Sequence, residues 1–262
     1  MAGKEASVRA VIIDVGNTYV RFVAWTAEDR LPRCTDGAWQ PAPALGELGR
    51  LATPGSPADE AAFVAAASGL LASAGDVPVV VVSVVPRVEA LLRGLGHGMR
   101  SADHTASLPF RHRLADPAAT GADRLCNMAA AVGAGLDGAL VVDAGTATTI
   151  DVMAGGVFIG GVIAPGMAFA VEQLGLRAAR LRPVPFAPVP LVAGSDTFEA
   201  MSAGAFHAGV GGVEALICGL NDVHGPLPVV VTGGLGRFLV RPDRFCDPQW
   251  TLRGAAFLCD LA

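Results

Sequence analysis

The order of apolar and polar positions along the chain alternates strand-like and helix-like stretches. Val8 to Asp14 is an apolar run that ends in an acid, a Gly-Asn-Thr turn follows, and Tyr19 to Trp25 returns as a second strand. Residues 31 to 57, rich in Pro, Gly and Ala, show no settled period. Asp59 to Ala74 reads as an alanine-rich helix, with Asp59 and Glu60 at the end where the helix dipole favours acids. Val79 to Val84 is a continuous β-branched run between Pro78 and Pro86, the pattern of a central strand buried on both faces. Pro86 suits the first turn of a helix over Arg87 to Leu95. An extended stretch carrying Asp116-Pro117 breaks at Gly121 into a helix over Asp123 to Val132. Beyond it, Leu140 to Thr146 repeats the apolar-then-acid pattern, and Ala147 to Met153 and Val157 to Ile163 pair across a Gly155-Gly156 turn. Helices over about 167 to 180 and 196 to 219, a strand at Leu227 to Val231, a Gly-Gly turn and a helix complete an α/β pattern.

The opening motif occurs twice. Val11-Ile-Ile-Asp14-Val-Gly16-Asn-Thr18 and Leu140-Val-Val-Asp143-Ala-Gly145-Thr146 share an apolar strand ending in Asp, a Gly after one residue and a hydroxyl soon after. Two such units predict two domains of like topology facing each other. Each motif puts a carboxylate and exposed backbone N–H groups at one end of a sheet, where Gly lets the chain approach an anion. One copy alone reads equally well as a plain hairpin with an acid in its turn. Two copies are what a clamp on ATP needs, and carboxylates beside polyphosphate call for Mg²⁺ or another cation between them. Val231-Thr-Gly-Gly234 is a third glycine turn, suited to a nucleotide contact or to a helix entry. Gly121-Ala-Asp123-Arg124 reads either as a solvated charge pair at a helix start or as chemistry. In the second reading Asp123 takes the proton of a substrate hydroxyl and Arg124 meets an anionic group.

Composition narrows the classes. The 262 residues are 52% apolar, with 33 Gly and 18 Pro, which excludes disorder and allows one large domain or two small ones. Charged residues make up 16% and the net charge is −5, which argues against sequence-independent nucleic-acid binding. The apolar run after Arg9 reaches Asp14 too soon for a signal peptide, so a cytoplasmic location is expected. Val152 to Val171 carries no charge over twenty residues, the length of a membrane span, yet holds five Gly and Pro165 and reads better as a hairpin in a sheet. No membrane partner is expected. The five cysteines form no C-x-x-C pair and the five histidines no ligand spacing, so neither a disulfide framework nor a metal site on those residues is indicated.

Taken in chain order, seven blocks resemble the type III pantothenate kinase family. They are Asp14-Val-Gly16-Asn17-Thr18, Ser83-Val-Val-Pro86, Asp116-Pro117 leading to Gly121-Ala-Asp123-Arg124, Asp143-Ala-Gly145-Thr146-Ala-Thr148, Gly160-Gly161-Val-Ile-Ala-Pro165-Gly166, Gly194-Ser-Asp-Thr197 and Thr232-Gly233-Gly234. Each block is short, and the seven in order are specific. The resemblance implies the acetate/sugar kinase, Hsp70 and actin superfold, with two ribonuclease-H-like α/β domains around a nucleotide cleft. Residues 1–120 would carry the first phosphate loop, and 121–262 the catalytic acid and the second loop. The implied activity is ATP-dependent phosphorylation of pantothenate to 4′-phosphopantothenate, the first step of coenzyme A synthesis. The implied assembly is a homodimer with the active site near the subunit interface.

The resemblance also assigns residues. Asp123 is then the general base, Arg124 orients the substrate, Gly121 approaches pantothenate, and Thr197 reaches pantothenate from the partner protomer. Asp14, Gly16, Asn17, Thr18 and Arg21 face the phosphates, with Asp14 toward Mg²⁺. Gly145, Thr146 and Thr148 line the second loop, Gly233 contacts the nucleotide, and Asp143 holds a monovalent cation, K⁺ or NH₄⁺. Three positions depart from the family pattern. Arg21 stands where some relatives have Lys, Leu114 stands where many have a substrate-holding Tyr, and Leu176 to Pro183 lacks a frequent Thr. Two other readings stay open: an accessory protein that binds nucleotide or pantothenate without catalysis, and a kinase of the same fold acting on another hydroxy acid.

Overall fold

The computed structural model describes residues 7–178 and 180–262. The elements run β1 (Val8–Val15), β2 (Tyr19–Thr26), β3 (Arg33–Thr35), β4 (Ala38–Gln40), β5 (Gly46–Ala52), α1 (Pro57–Ala74), β6 (Val79–Ser83), α2 (Pro86–Arg93), β7 (Met99–Ser101), β8 (Arg111–His112), a 3-10 turn (Pro117–Ala119) and α3 (Ala122–Gly133). After these come β9 (Ala139–Ala144), β10 (Ala147–Ala154), β11 (Val157–Pro165), α4 (Met167–Arg177), α5 (Thr197–His224), β12 (Val229–Thr232), a second 3-10 turn (Gly236–Leu239), β13 (Arg244–Cys246) and α6 (Trp250–Leu258). The chain divides into two units. One ends at Asp137 and also takes in Gln249–Ala262, and the other is Gly138–Pro248.

In the first unit the strand order is β5-β2-β1-β6-β7. β1 and β2 form the expected antiparallel hairpin, and β6 lies parallel to β1. Val79 to Val82 are all at least 98% buried, as the unbroken valine run predicts. One face of the sheet presents Val11, Ile13, Val15, Val20 and Phe22 to Phe63, Ala67 and Leu71 of α1 and to Val88 and Leu92 of α2. α3 and α6 pack together and against β6. Gly254 sits so close to the Cys126 carbonyl that no side chain fits there. Trp250 Nε1 donates to Asn127 O (3.0 Å) and Thr251 Oγ1 to Asn127 Oδ1 (2.9 Å).

The domain boundary therefore differs from the expected 120/121. α3 stays with the first unit, because its apolar stripe is buried against α6, and α6 returns to that unit from the far end of the chain. The C-terminal segment also clasps the stretch that showed no period in the sequence. Gln249 donates to Leu45 O and accepts from Leu45 N, and Arg253 donates to Arg30 O (2.8 Å) and Pro43 O (2.6 Å). Trp25 Nε1 donates to Leu261 O (3.1 Å).

In the second unit β9 lies between antiparallel β10 and parallel β12, with β11 beyond β10 and β13 beyond β12. Leu140, Val142, Ala144, Ile150 and Val152 meet Met167 of α4 and Val213 and Ile217 of α5. The charge-free stretch from Val152 runs through the β10–β11 hairpin and into the start of α4. α5 runs 28 residues, longer than expected, and is the one helix among the described residues with the length and composition of a membrane span. The helix expected after the Gly-Gly turn is only the short 3-10 turn Gly236–Leu239, because Pro242 biases the residue before it away from helix.

Candidate active site

Register places the first acid. Asp14 pairs with Arg21 across the hairpin and with Val82 of β6, on the face opposite the α1 and α2 core. Arg21 donates from Nε (3.0 Å) and Nη2 (2.6 Å) to the same oxygen, Asp14 Oδ2. The two side chains are 23% and 18% exposed, so this is a partly desolvated pair rather than a surface one. In the adjoining turn Gly16 N donates to Tyr19 O (3.0 Å), and Asn17 and Thr18 are exposed. The turn is held from β5 by a residue the sequence did not single out. Thr53 donates from N to Thr18 O (3.0 Å) and from Oγ1 to Gly16 O (2.6 Å). Its place is set by the β2–β5 register, which brings Tyr19 opposite Ala52.

Asp123 is the second residue of α3, with Gly121 as N-cap. Asp123 Oδ1 accepts from Arg124 N (2.8 Å), which fixes the carboxylate at the positive end of the helix. A Cβ at Gly121 would lie 2.5 Å from that oxygen, so a side chain there would displace the carboxylate. Burial pushes the Asp123 carboxyl above its ordinary value, the Arg124 N–H pulls it down, Asp14 raises it and the Arg124 charge lowers it. A carboxylate raised this way takes up a proton more readily than an ordinary aspartate does. Leu114, half-buried, lies on the approach to the 3-10 turn, where Asp116 Oδ1 accepts from Ala118 N (2.9 Å).

The second unit repeats the arrangement. Asp143 stands near the end of β9 and shares its face with Thr149 of β10 and Thr232 of β12, opposite the α4 and α5 core. Thr149, 9% exposed, is a further residue that sequence reading passed over; the period-two alternation of β10 is the signal that assigns it to this face. Thr146 is exposed at the loop tip, where Gly145 N donates to Ala147 O (3.0 Å). Thr148 is only 1% exposed and shares its face with Ala144 and Ile150, so its hydroxyl turns toward the core and lacks a hydrogen-bond partner among the described residues. Gly233 has φ +83, and a Cβ there would lie 2.5 Å from Asp143 Oδ1 and 2.6 Å from Ala144 O. Leu235 N donates to Ala144 O (2.9 Å), which ties the Gly-Gly turn to the Asp143 loop. Thr197 opens α5 beside its cap Asp196, whose Oδ1 accepts from Glu199 N (2.8 Å). It lines an apolar groove of about 890 Å³ between α4 and α5, with Met167, Leu174, Met201, Ala208 and Leu216.

In each unit, then, a helix-flanked sheet carries an acid at the end of its first strand beside a glycine turn. Among solved structures, a Campylobacter jejuni protein described as a Baf family transcriptional activator has a TM-score of 0.58 at 19% identity, covering 95% of this chain and 97% of that one. A Listeria monocytogenes protein described as an N-acetylmannosamine kinase has a TM-score of 0.51 at 14% identity, covering 97% and 100%. At these identities the likeness is one of fold, and it places the chain in the sugar-kinase fold class.

Residues 10–218 match the model of the type III pantothenate kinase family. The type III pantothenate kinase of Acidiphilium cryptum is 41% identical over 155 residues, 57% of this chain and 58% of that protein. The one from Dehalococcoides mccartyi is 30% identical over 270 residues, 95% of this chain and 96% of that protein. The chain belongs to the type III pantothenate kinase family. Its match to the Acidiphilium relative spans little more than half of that relative's length.

Proposed function

We propose that this chain transfers the γ-phosphoryl group of ATP to pantothenate, giving 4′-phosphopantothenate and ADP. The observation that carries the reading is Asp123: a carboxylate raised above its ordinary pKa, with one oxygen fixed by the Arg124 N–H, in a chain of this family. The pantothenate hydroxyl oxygen attacks the γ-phosphorus, and that O–P bond forms as the bond to the β,γ-bridging oxygen breaks. Asp123 accepts the hydroxyl proton and ADP departs. Phosphoryl transfer asks a protein mainly for position and charge neutralisation. Exposed Asn17, Thr18 and Thr146, together with the N–H groups of the glycine turns, suit phosphate oxygens, and Arg124 suits the pantothenate carboxylate.

Among the described residues no three His, Cys, Asp or Glu gather into a metal cage. Single carboxylates such as Asp14 and Asp143 instead fit cations that take most of their oxygens from phosphate and water. Asp14 would hold Mg²⁺ and Asp143 a monovalent cation, K⁺ or NH₄⁺; when bound, these supply neutralisation of the polyphosphate charge. Arg21 positions Asp14 for that role.

The working form in this reading is a cytoplasmic homodimer. The groove between α4 and α5 is apolar, and Leu174 in its lining and the nearby chain positions Leu176 and Phe198 are exposed, which suits this face to cover by a second copy. Small residues Gly204, Ala205, Ala208 and Gly212 line it and would let a second α5 approach closely. In this reading Thr197 is the residue that reaches pantothenate from the partner copy.

The test is ADP release by the purified chain with ATP, Mg²⁺ and pantothenate, in potassium against sodium buffer. Turnover stimulated by potassium is expected. Nucleotide binding without turnover would move the reading to an accessory protein, and turnover restored by another hydroxy acid would move it to a different substrate.

A further inference from the structure

Thr53 stands one residue past the end of β5, half-buried, and grips the Gly16–Thr18 turn twice. Its N–H donates to Thr18 O (3.0 Å) and its hydroxyl to Gly16 O (2.6 Å). The first bond continues the β2–β5 ladder, in which Tyr19 faces Ala52. The second belongs to no ladder, and it exists only because residue 53 carries a hydroxyl.

That hydroxyl sets the direction of the next N–H. In a trans peptide the C=O and the following N–H point opposite ways, so holding Gly16 O toward Thr53 turns the Asn17 N–H away from β5. Asn17 is exposed, and its N–H makes no hydrogen bond among the described residues. Glycine at the start of the turn would otherwise leave this peptide free to rotate. An N–H held in one direction before a ligand arrives costs less to use than one that must be ordered on binding. The grip is itself braced from behind. Pro54 is buried, and its carbonyl accepts from Arg87 of α2, whose guanidinium also pairs with Glu60 of α1. Thr53 is thus tied through its neighbour to both helices that cover the core face of the sheet.

We propose that Thr53 is a positioning residue for phosphoryl transfer, whose hydroxyl presets the Asn17 N–H to donate to a phosphate oxygen of the phosphoryl donor. The inference rests on the proposed kinase reading and adds to it a residue outside the phosphate loops on which the grip on polyphosphate depends.

The experiment compares the wild type with Thr53→Val, which keeps the shape and the backbone donor without the hydroxyl, and with Thr53→Ser, which keeps the hydroxyl. It reads KM for ATP, kcat, KM for pantothenate and the inhibition constant of inorganic tripolyphosphate, a probe made of phosphate alone. A hydrogen bond to a charged group is worth enough that Thr53→Val should raise KM for ATP and the tripolyphosphate constant together, each at least about fivefold. At saturating ATP, kcat and KM for pantothenate should stay within about twofold of wild type, since what is lost is donor binding. Thr53→Ser should recover most of the loss. Thr53→Ala lacks the hydroxyl and takes less space, so it should match Thr53→Val and replaces it if the valine variant does not fold. Unchanged constants for ATP and tripolyphosphate in the variants without the hydroxyl overturn the inference. So does a serine variant no better than valine, or an equal rise in KM for pantothenate, since either would make Thr53 a general support of the fold. A folded wild type that binds neither ATP nor tripolyphosphate would overturn the kinase reading together with the inference, whereas a wild type that turns over and is matched by Thr53→Val in every constant overturns the inference alone.

Discussion

Asp123, the proposed base, carries a charge that its buried position sets against the fold. Its carboxyl is raised first by burial and further by Asp14, so the folded chain favours the protonated form more than the unfolded chain does. The linkage therefore has a definite sign: Asp123 is easiest to accommodate at low pH, and its charged form weighs against folding once pH rises through the folded pKa. Asp123→Asn removes that charge while keeping an acceptor for the Arg124 N–H. Thermal unfolding should therefore show a higher Tm for the variant at pH 8 and a shrinking difference as pH falls below the point where Asp123 is protonated. A lower Tm at every pH would mean that the carboxylate is stabilising where it stands. For the same reason the acid limb of kcat/KM should lie above the ordinary aspartate range. The β1–β2 hairpin was legible in the sequence and its register sets Asp14 opposite Arg21, but the fork between them was not foreseen, since Arg21 was expected to face the phosphates. Thr53 and Thr149 were not legible either, because what places them is pairing between strands, which neither residue announces locally.

Among the elements, those with a strong period or a continuous apolar run were legible. β1, β2, β6 and the β9–β10–β11 meander lie where the hydrophobic pattern put them, with ends moved by a residue or two, because all but β11 are buried on at least one face and β11 follows β10 through a two-glycine turn. The weak elements were not. β3 and β4 are three residues each and lack a fully buried position, so they carry no period to read. The last helix was misplaced for a different reason: the segment after Gly234 forms only a short turn stopped by Pro242, and α6 starts at Trp250. α5 is tied to β13 by Glu214, which accepts from Arg244 Nη1 (2.8 Å) and Nη2 (2.5 Å) and from Arg241 Nε (3.1 Å). Hydrogen bonding from Arg244 pulls the Glu214 carboxyl below its ordinary value against a smaller opposing effect of burial. The stability it contributes is thus complete above the unfolded glutamate pKa and is lost as pH falls through the lower folded one. Arg244 is 5% exposed, so Glu214→Ala leaves a buried cation and should cost about 3 kcal/mol in denaturant unfolding at pH 7. A loss under about 0.5 kcal/mol would show that water reaches Arg244 and takes the place of the carboxylate.

At the scale of the whole molecule, the doubled acid-and-glycine motif was the clue that the chain is built as two units of like design. The division itself was not legible, because it depends on the C-terminal segment returning to the first unit through contacts with residues some 200 positions earlier, as between Gln249 and Leu45. The other feature at this scale is the uncovered α4–α5 groove. If a second copy fills it, Ala208→Glu places a charge in an apolar seam and should yield monomers by sedimentation, with the fold unchanged by circular dichroism. A wild type that sediments as a monomer at micromolar concentration would remove the dimer from the account.

We propose that this chain phosphorylates pantothenate with Asp123 as the base, and the product itself can be measured. Wild type and Asp123→Asn, each shown to be folded, are incubated with ATP, Mg²⁺ and pantothenate, and 4′-phosphopantothenate is followed by ³¹P NMR. Steady product is expected from the wild type and a rate lower by about 10² to 10⁴ in the variant, with ATP binding kept. Product formed by Asp123→Asn at the wild-type rate, or none formed by a wild type that binds both substrates, would contradict it.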